Sequence, residues 1–259
     1  MSVPDPAVRS VLITNDDGID APGLQALEAV AATLAREVWV VAPEHDQSGV
    51  SHSISLHSPL RVRHRGDRRF GVSGTPADCV VVGLRQLMPV LPDLVLSGIN
   101  RGANLGVETV FSGTVGGAMA GLLLGVPSIA LSQAFSDREA VRWDTASQLA
   151  PSVIRRLLQA DWAGGACLNV NFPDVPAECA GPLVVTRQGR GLMKMVEVTT
   201  RVDPRGSGYS WLHITRGKSS DGAGTETEVI AAGGVAVTPL QFERTAEQVW
   251  SRLSAELTE

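Results

Sequence analysis

The stretch VLITNDDGIDAPG, residues 11–23, decides the fold and raises the question of function. Residues 11–14 have the length and apolar character of a short buried strand. Asn15 and the adjacent carboxylates Asp16 and Asp17 follow that strand directly. Two neighbouring carboxylates repel each other, so their pairing at a strand end needs a physical reason.

A helical pattern follows this strand and turn. Residues 23–37 carry apolar side chains at helical spacing, and the residues of that face are Leu24, Leu27, Ala31 and Leu34. Pro22 suits the first turn, where its missing N–H costs little, and Asp20 is placed to cap the helix. The stretch therefore predicts a strand, a polar turn and a helix.

The same alternation continues along the chain. Apolar runs without polar alternation predict further buried strands at 38–43, 93–98, 127–132 and 166–172. Helical patterns lie between them at 78–88, 113–125 and 144–159. Buried strands joined by helices indicate an α/β fold with a doubly wound, mainly parallel sheet in a Rossmann-like three-layer core. We assign this α/β core to residues 1–180.

The sequence pattern changes from Gly181 onward. Extended pieces separated by Gly, Pro and Asp predict a β-hairpin extension. An amphipathic helix at 245–257 follows it. We assign residues 181–259 to a second unit made of this extension and the C-terminal helix.

Composition narrows the class of protein. The 259 residues are 44% hydrophobic and carry a net charge of −5, which argues against a nucleic-acid polymer as the main partner. No apolar run approaches the roughly 20 residues of a membrane span, and residues 1–10 lack the pattern of a signal peptide. Cys79, Cys167 and Cys179 show no CxxC spacing, which favours reduced thiols. We expect a cytoplasmic protein without a membrane partner.

Polar loops follow three of the predicted strands. In a parallel sheet, ligands bind beyond the carboxyl ends of the strands. The loop residues that gather at this edge are Asn15, Asp16, Asp17, Ser48, Asn100 and Asn104. The topology therefore predicts a polar site there.

The Asp16–Asp17 pair allows two interpretations. Asp-Gly is common in turns, and an Asp at a strand end can simply cap a helix. A divalent cation would instead neutralise both charges, with Ser48 and Asn100 as candidate neutral oxygen ligands. Such donors favour a hard ion, Mg²⁺ or Mn²⁺.

The stretch SGTVGG, residues 112–117, points to a phosphate site. Ser112, Gly113 and Thr114 precede a predicted helix, whose free N–H groups and positive dipole end favour an anion. The alternative is that Ser112 only caps the helix. No Lys follows the glycines, so this is not a Walker A loop, and the chain's first turn lacks the dinucleotide-binding G-x-G-x-x-G pattern.

Other polar residues carry weaker signals. His45 and His52 lie in the loop with Ser48, and each suits a proton donor or a solvated loop residue. Arg101 can hold a phosphate or pair with an acidic side chain. Residues 74–79, GTPADC, are placed to cap the helix that follows them.

Five motifs in one order carry a resemblance to a known family. They are VLITNDDGIDAPGLQAL (11–27), VAPEHDQSGVSHSISL (41–56), GTPADCV (74–80), PDLVLSGINRGANLG (92–106) and SGTVGGAMAG with PSIALS (112–132). Together they resemble the SurE family of survival-protein nucleotidases. The likeness is dense over residues 10–133 and weaker at 168–174 and 237–240. The segment GVETVFSGT departs from the acidic pair and Tyr that many members have there.

The resemblance implies a metal-dependent phosphatase acting on nucleoside 5′-monophosphates and 3′-monophosphates, with one divalent cation per subunit. Carried over by motif, the metal ligands are Asp16, Asp17, Ser48 and Asn100, the first two also being catalytic. The implied phosphate contacts are Asn104, Ser112, Gly113 and Thr114, with Asn15 in support. The family also implies homodimers or homotetramers that exchange the C-terminal extension.

Rival functions stay open at this point. A phosphatase with an aspartyl nucleophile normally has D-x-D after the strand, whereas this chain has adjacent Asp residues. A nucleotide-binding regulatory module without turnover is the alternative outside enzymes. We favour the hydrolase, a 5′-nucleotidase, because a binder needs no cation with vacant coordination positions.

Overall fold

A nine-stranded sheet forms the centre of the computed structural model, which describes residues 6–162, 165–217 and 221–257. Its strands are β1 (Val8–Thr14), β2 (Ala35–Pro43), β3 (Val62–Gly66), β4 (Arg69–Val72), β5 (Leu94–Arg101), β6 (Ser128–Gln133), β7 (Cys167–Phe172), β8 (Leu183–Val185) and β11 (Val235–Leu240). Their spatial order is β3-β4-β2-β1-β5-β6-β7-β11-β8. The remaining strands, β9 (Met193–Val202) and β10 (Gly208–Arg216), form a separate two-stranded sheet.

The pairing confirms the predicted mainly parallel sheet. The six strands β4, β2, β1, β5, β6 and β7 run parallel to one another. β3 is antiparallel to β4, and β11 is antiparallel to β7. The central strands are buried along most of their length, as their unbroken apolar sequences predict.

Helices cover both faces of this sheet. The α-helices of the described residues are α1 (Pro22–Ala32), α2 (Pro76–Val82), α3 (Gly113–Leu123), α4 (Trp143–Leu158), α5 (Glu226–Ala231) and α6 (Glu247–Leu257). α1 and α4 pack together over one face, with Leu24, Leu27 and Ile154 in its core. α2 and α3 pack together over the other face, where Val80 and Leu12 are buried. The predicted three-layer arrangement is confirmed.

Two details of the predicted α1 are wrong. Ala21 occupies the N-cap position without a side-chain cap bond, and Asp20 lies one residue too early to cap. Pro22 does stand at the helix start, where no N–H is needed. The helix ends at Ala32 rather than at residue 37, because Ala35 already pairs with Val8 in the sheet.

The start of α2 confirms the predicted cap at residues 74–79. The Thr75 side chain accepts the N–H of Asp78, and the Asp78 side chain accepts the N–H of Thr75. This reciprocal capping box satisfies two N–H groups that the helix itself leaves unpaired. The predicted helix at 78–88 continues as a π-helical turn, Gly83–Leu87.

The C-terminal part contains the predicted hairpin and terminal helix. β9 and β10 pair antiparallel over their whole length, and α6 buries no residue within the chain. The extended pieces that form β8 and β11 belong to the main sheet instead, and the boundary at residue 180 stays a prediction. Residues 1–5, 163–164, 218–220 and 258–259 of the two predicted units lie outside the described residues.

The three cysteines are free thiols, as predicted. Burial raises the pKa of the Cys79 thiol and raises that of Cys167 to about 12, so both are protonated at neutral pH. Across the described ranges, none of the helices has the length and apolar character needed to cross a bilayer.

Candidate active site

The predicted polar loops meet at the carboxyl edge of the sheet. β1 pairs parallel with both β2 and β5, so the segments after Thr14 and Pro43 start side by side at one edge of the sheet. The N–H of Gln47 donates to the carbonyl of Asp16 at 2.7 Å, and the N–H of Ile19 donates to that of Pro43 at 2.8 Å. These two hydrogen bonds connect the loop after β1 to the loop after β2.

Asp16 lies directly against the start of α3. The hydroxyl of Thr114 donates to Oδ1 of Asp16 at 2.5 Å, and the Asp16 side chain is buried. A Cβ added to Gly113 would lie 2.8 Å from the Cβ of Asp16, closer than real side chains pack. Glycine at this position therefore lets the helix N-terminus approach the carboxylate.

This environment shifts the titration of Asp16. Burial raises its pKa from 3.8 to about 7, the Thr114 hydroxyl opposes that shift, and the charge of Asp17 adds to it. A buried carboxylate next to a second one is stabilised in its ionised form by a nearby cation. A cation bound beside the pair would therefore lower the cost of ionising both carboxyl groups.

Asp17 connects the first loop to the end of β5. Its Oδ2 accepts the N–H of Arg101 at 3.1 Å. Burial raises the pKa of Asp17, and the hydrogen bond and charge of Arg101 oppose the rise. Asn100, the residue before Arg101, donates through Nδ2 to the carbonyl of Gly102 at 2.8 Å. Its amide oxygen is the atom suited to a cation.

Ser48 and Asn15 complete the predicted set. Ser48 is exposed next to Gln47, and its N–H donates to Oδ1 of Asp46 at 2.7 Å. Asn15 is buried and donates through Nδ2 to the carbonyl of Gly18 at 2.8 Å, which closes the turn around the two Asp residues. Among the described residues, its Oδ1 has no hydrogen-bond partner.

The donor set fits a hard divalent cation. It consists of two carboxylates, a hydroxyl and amide oxygens, the ligand types that Mg²⁺ and Mn²⁺ prefer. In the part of the chain that the structure describes, no three or more His, Cys, Asp or Glu residues cluster as a metal site. A cation at Asp16 and Asp17 would therefore rely on neutral oxygen donors for its other protein ligands.

The predicted phosphate contacts fall into two places. Ser112 and Gly113 lie with Thr114 at the start of α3, next to Asp16. Oγ of Ser112 accepts the N–H of Val115 at 3.1 Å, so the residue is a helix cap, and its hydroxyl proton remains a donor. Its capping and phosphate roles are compatible.

Asn104 is held differently, on the loop after β5. Its Nδ2 donates to the hydroxyl of Ser132 at 2.9 Å, and its backbone N–H donates to Oδ1 of Asn171 at 2.8 Å. The amides of Asn169 and Asn171 both donate to its carbonyl. We call residues 104–112, from Asn104 to Ser112, the substrate loop.

Sequence reasoning missed these supporting residues. Asn171 is 67 positions from Asn104, and Ser132 is 28 positions away. The available signal was the pair of asparagines in the otherwise apolar buried strand β7. A polar side chain in a buried strand needs a hydrogen-bond partner, and here the partner is the substrate loop.

The two histidines differ in their surroundings. His45 is exposed, whereas His52 is half-buried with Nδ1 at 3.2 Å from the hydroxyl of Ser51. Burial lowers the pKa of His52, and the charge of Arg244 lowers it further. His52 lines a cavity of about 760 Å³ beside the substrate loop, and Asp17 lines a second cavity of about 390 Å³.

Comparisons with known proteins agree on one family. The family model described as Survival protein SurE matches residues 11–195. A protein named 5′-nucleotidase SurE 1 from Burkholderia lata is 60% identical, covering 97% of this chain and 98% of that protein. 5′-nucleotidase SurE from a Methylobacterium species is 48% identical over 95% of this chain and 99% of its own. The crystal structure of a SurE protein from Aquifex aeolicus matches with a TM-score of 0.82 and 37% identity, over 95% of this chain and 99% of that one.

Proposed function

This chain belongs to the SurE family of survival proteins and is a 5′-nucleotidase, and we propose that a divalent cation is required for its activity. We propose further that it hydrolyses nucleoside 3′-monophosphates as well as 5′-monophosphates. Relatives named 5′-nucleotidase SurE at 47–60% identity support the nucleotidase activity. The observation that carries the cation proposal is the buried Asp16 carboxylate, placed between Asp17 and the N-terminus of α3.

The residues that would hold the cation are Asp16, Asp17, Ser48 and Asn100. When bound, such a cation polarises a phosphoryl oxygen and lowers the pKa of a coordinated water. The chain's part is to present two ionised carboxylates at one point. The hydrogen bonds from Thr114 to Asp16 and from Arg101 to Asp17 fix their orientation.

The start of α3 would bind the phosphate. Backbone N–H groups at a helix N-terminus point at an anion, and the helix dipole adds a favourable field. The hydroxyl of Ser112 supplies a further donor at the same end. These fixed dipoles would stabilise the charge on the phosphoryl oxygens as the ester bond breaks.

A phosphate-release assay tests the proposal. The protein is stripped with EDTA and then assayed on 5′-monophosphates and 3′-monophosphates of each nucleoside, with no metal, Mg²⁺, Mn²⁺ or Ca²⁺. We expect no turnover without metal and restored turnover with Mg²⁺ or Mn²⁺. Full activity of the stripped protein would contradict the cation requirement. Nucleotide binding without phosphate release under every condition would support the regulatory module instead.

We also propose that the protein works in the cytoplasm as a homodimer or homotetramer. The free thiols support a reducing compartment. The exposed apolar side chains of β9, β10 and α6 support subunit contacts through residues 181–259.

A further inference from the structure

A buried carboxylate from a distant segment holds the substrate loop. Glu226, at the start of α5, is 1% exposed. Its Oε1 accepts the N–H of Gly106 at 2.5 Å, and its Oε2 accepts the N–H of Gly189 at 2.9 Å. The Glu226 side chain thus joins the loop to the segment after β8 through two hydrogen bonds, one at each carboxyl oxygen.

That segment, residues 186–191, contacts the substrate loop along its backbone as well. The amide of Gln188 donates to the carbonyl of Gly106 at 2.9 Å and to the hydroxyl of Thr109 at 2.8 Å. A Cβ on Gly106 would lie 2.2 Å from the backbone N of Gly191. The two segments therefore touch backbone to backbone, at a point where Gly106 has a positive φ of 58°.

The base of the hairpin provides a third contact. Arg216, the last residue of β10, places Nη2 at 2.7 Å and Nε at 2.9 Å from Oε2 of Glu108. The Glu108 side chain is 8% exposed, while that of Arg216 is 56% exposed. Loss of the guanidinium would leave Glu108 as an unpaired buried charge in the substrate loop.

We infer that Glu226 and Arg216 are positioning residues for the reaction, acting through the substrate loop. They contact the loop at Gly106 and Glu108, between Asn104 at one end and Ser112 at the other. The predicted cation ligands lie on other segments, after β1, after β2 and at the end of β5. Substrate use therefore depends on Glu226 and Arg216, whereas cation affinity does not. This inference rests on the proposed function for its kinetic readout.

Steady-state kinetics of matched variants test it. Arg216→Ala is compared with Arg201→Ala, an exposed arginine of the same hairpin, and Glu226→Gln with Glu228→Gln, an exposed glutamate of the same helix. We expect kcat/KM to fall about 10- to 100-fold in Arg216→Ala and Glu226→Gln, because small displacements of positioning groups cost rates of this size. The Mg²⁺ concentration for half-maximal activity should stay within about twofold of the wild type. Arg216→Lys, which keeps the charge, should recover part of the loss.

A double-mutant cycle locates the effect in the substrate loop. Arg216→Ala and Glu108→Gln should be strongly non-additive on kcat/KM, because each removes the same contact. Equal losses in the control variants, additive effects, or a parallel loss of Mg²⁺ affinity would overturn the inference. So would a changed subunit count by light scattering that accounts for the lost activity.

Hydrogen exchange provides a readout that does not depend on turnover. Peptides covering 104–112 should exchange faster in Arg216→Ala and Glu226→Gln than in the wild type, while those covering β1 stay unchanged. Unchanged exchange at 104–112 would contradict the positioning role even if activity fell. If the wild type protects these peptides from exchange but releases no phosphate, the proposed function is refuted and the positioning role of Glu226 and Arg216 is not.

Discussion

The carboxyl group of Asp16 is costly to ionise in the folded protein. Burial and the neighbouring Asp17 raise its pKa from 3.8 to about 7. Between about pH 4 and pH 7 the folded state therefore keeps a proton that the unfolded state has released. The contribution of this group to the free energy of unfolding is present at low pH and is lost as pH rises through that window.

Asp16→Asn should consequently stabilise the metal-free protein at high pH. In EDTA at pH 8 we expect the variant to melt at a higher temperature than the wild type. Its unfolding free energy should be larger by an amount on the order of a few kcal/mol. At pH 5 the advantage should shrink, because the wild-type carboxyl is then largely protonated. Thermal unfolding at both pH values measures this. An advantage of equal size at pH 5 and pH 8 would refute the assigned pKa shift.

The same substitution should abolish catalysis. Asp16→Asn removes one negative charge from the proposed cation site, so we expect phosphate release to fall by about three orders of magnitude or more. The matched control is Asp20→Asn, an exposed Asp in the same turn, which should keep wild-type rates. Circular dichroism checks folding. Near wild-type turnover of Asp16→Asn in excess Mg²⁺ would show that Asp16 is not a cation ligand.

The helix α2 shows how a short element is fixed at its first turn. Thr75 accepts the N–H of Asp78 and donates to the carbonyl of Ser53 at 2.7 Å. Thr75→Ala removes both contacts and should lower the unfolding free energy by about 1–2 kcal/mol. Thr225→Ala provides the comparison, since Thr225 is the N-cap of α5 without a side-chain cap bond. Urea unfolding measures both, and equal costs would argue against the capping contribution.

Elements with strong local patterns were predictable from the sequence, and elements defined by distant pairing were not. The strand ending at Thr14 and the helix at 113–125 carry continuous apolar runs, and both are present. β11 has the same local pattern as a hairpin strand, and only its pairing of Val237 with Val170 puts it in the main sheet. α5 begins Glu-Thr-Glu, which gives little apolar periodicity.

The residues of the candidate site also differ in whether a local sequence pattern or only a distant contact identifies them. Asp16, Asp17 and Ser112 could be proposed from the sequence because adjacent carboxylates follow a strand and a hydroxyl starts a helix, although the same residues also occur in turns and helix caps. The contact between Glu226 and Gly106 joins residues 120 positions apart. No spacing rule covers that distance, so only the folded structure identifies Glu226.

On the scale of the whole molecule, the hairpin carries an apolar face that is largely exposed in the part of the chain that the structure describes. Val198 lies opposite Leu212, and Val196 lies opposite Ile214, so the four side chains share one face. Each of them is at least 40% exposed. An exposed apolar face of this kind favours association with another protein surface.

We expect a charge on that face to break the proposed assembly. Val198→Glu should shift the protein toward monomers in size-exclusion chromatography with light scattering, because a buried unpaired charge is costly at an interface. Arg205→Glu, in the exposed hairpin turn, changes the charge without touching the face and should leave the subunit count unchanged. A wild type that is monomeric at micromolar concentration would contradict the predicted oligomer.

The position of β11 has a consequence for how the protein is made. β11 separates β7 from β8, and α5 with Glu226 comes just before it in the chain. On the ribosome, the substrate loop emerges before β11 and Glu226, since Glu226 follows Gly106 by 120 residues. Until then the growing chain exposes the edge of β7, a site where chaperones or other nascent chains can pair. The substrate loop therefore gains its contact with Glu226 only after that later segment has been translated.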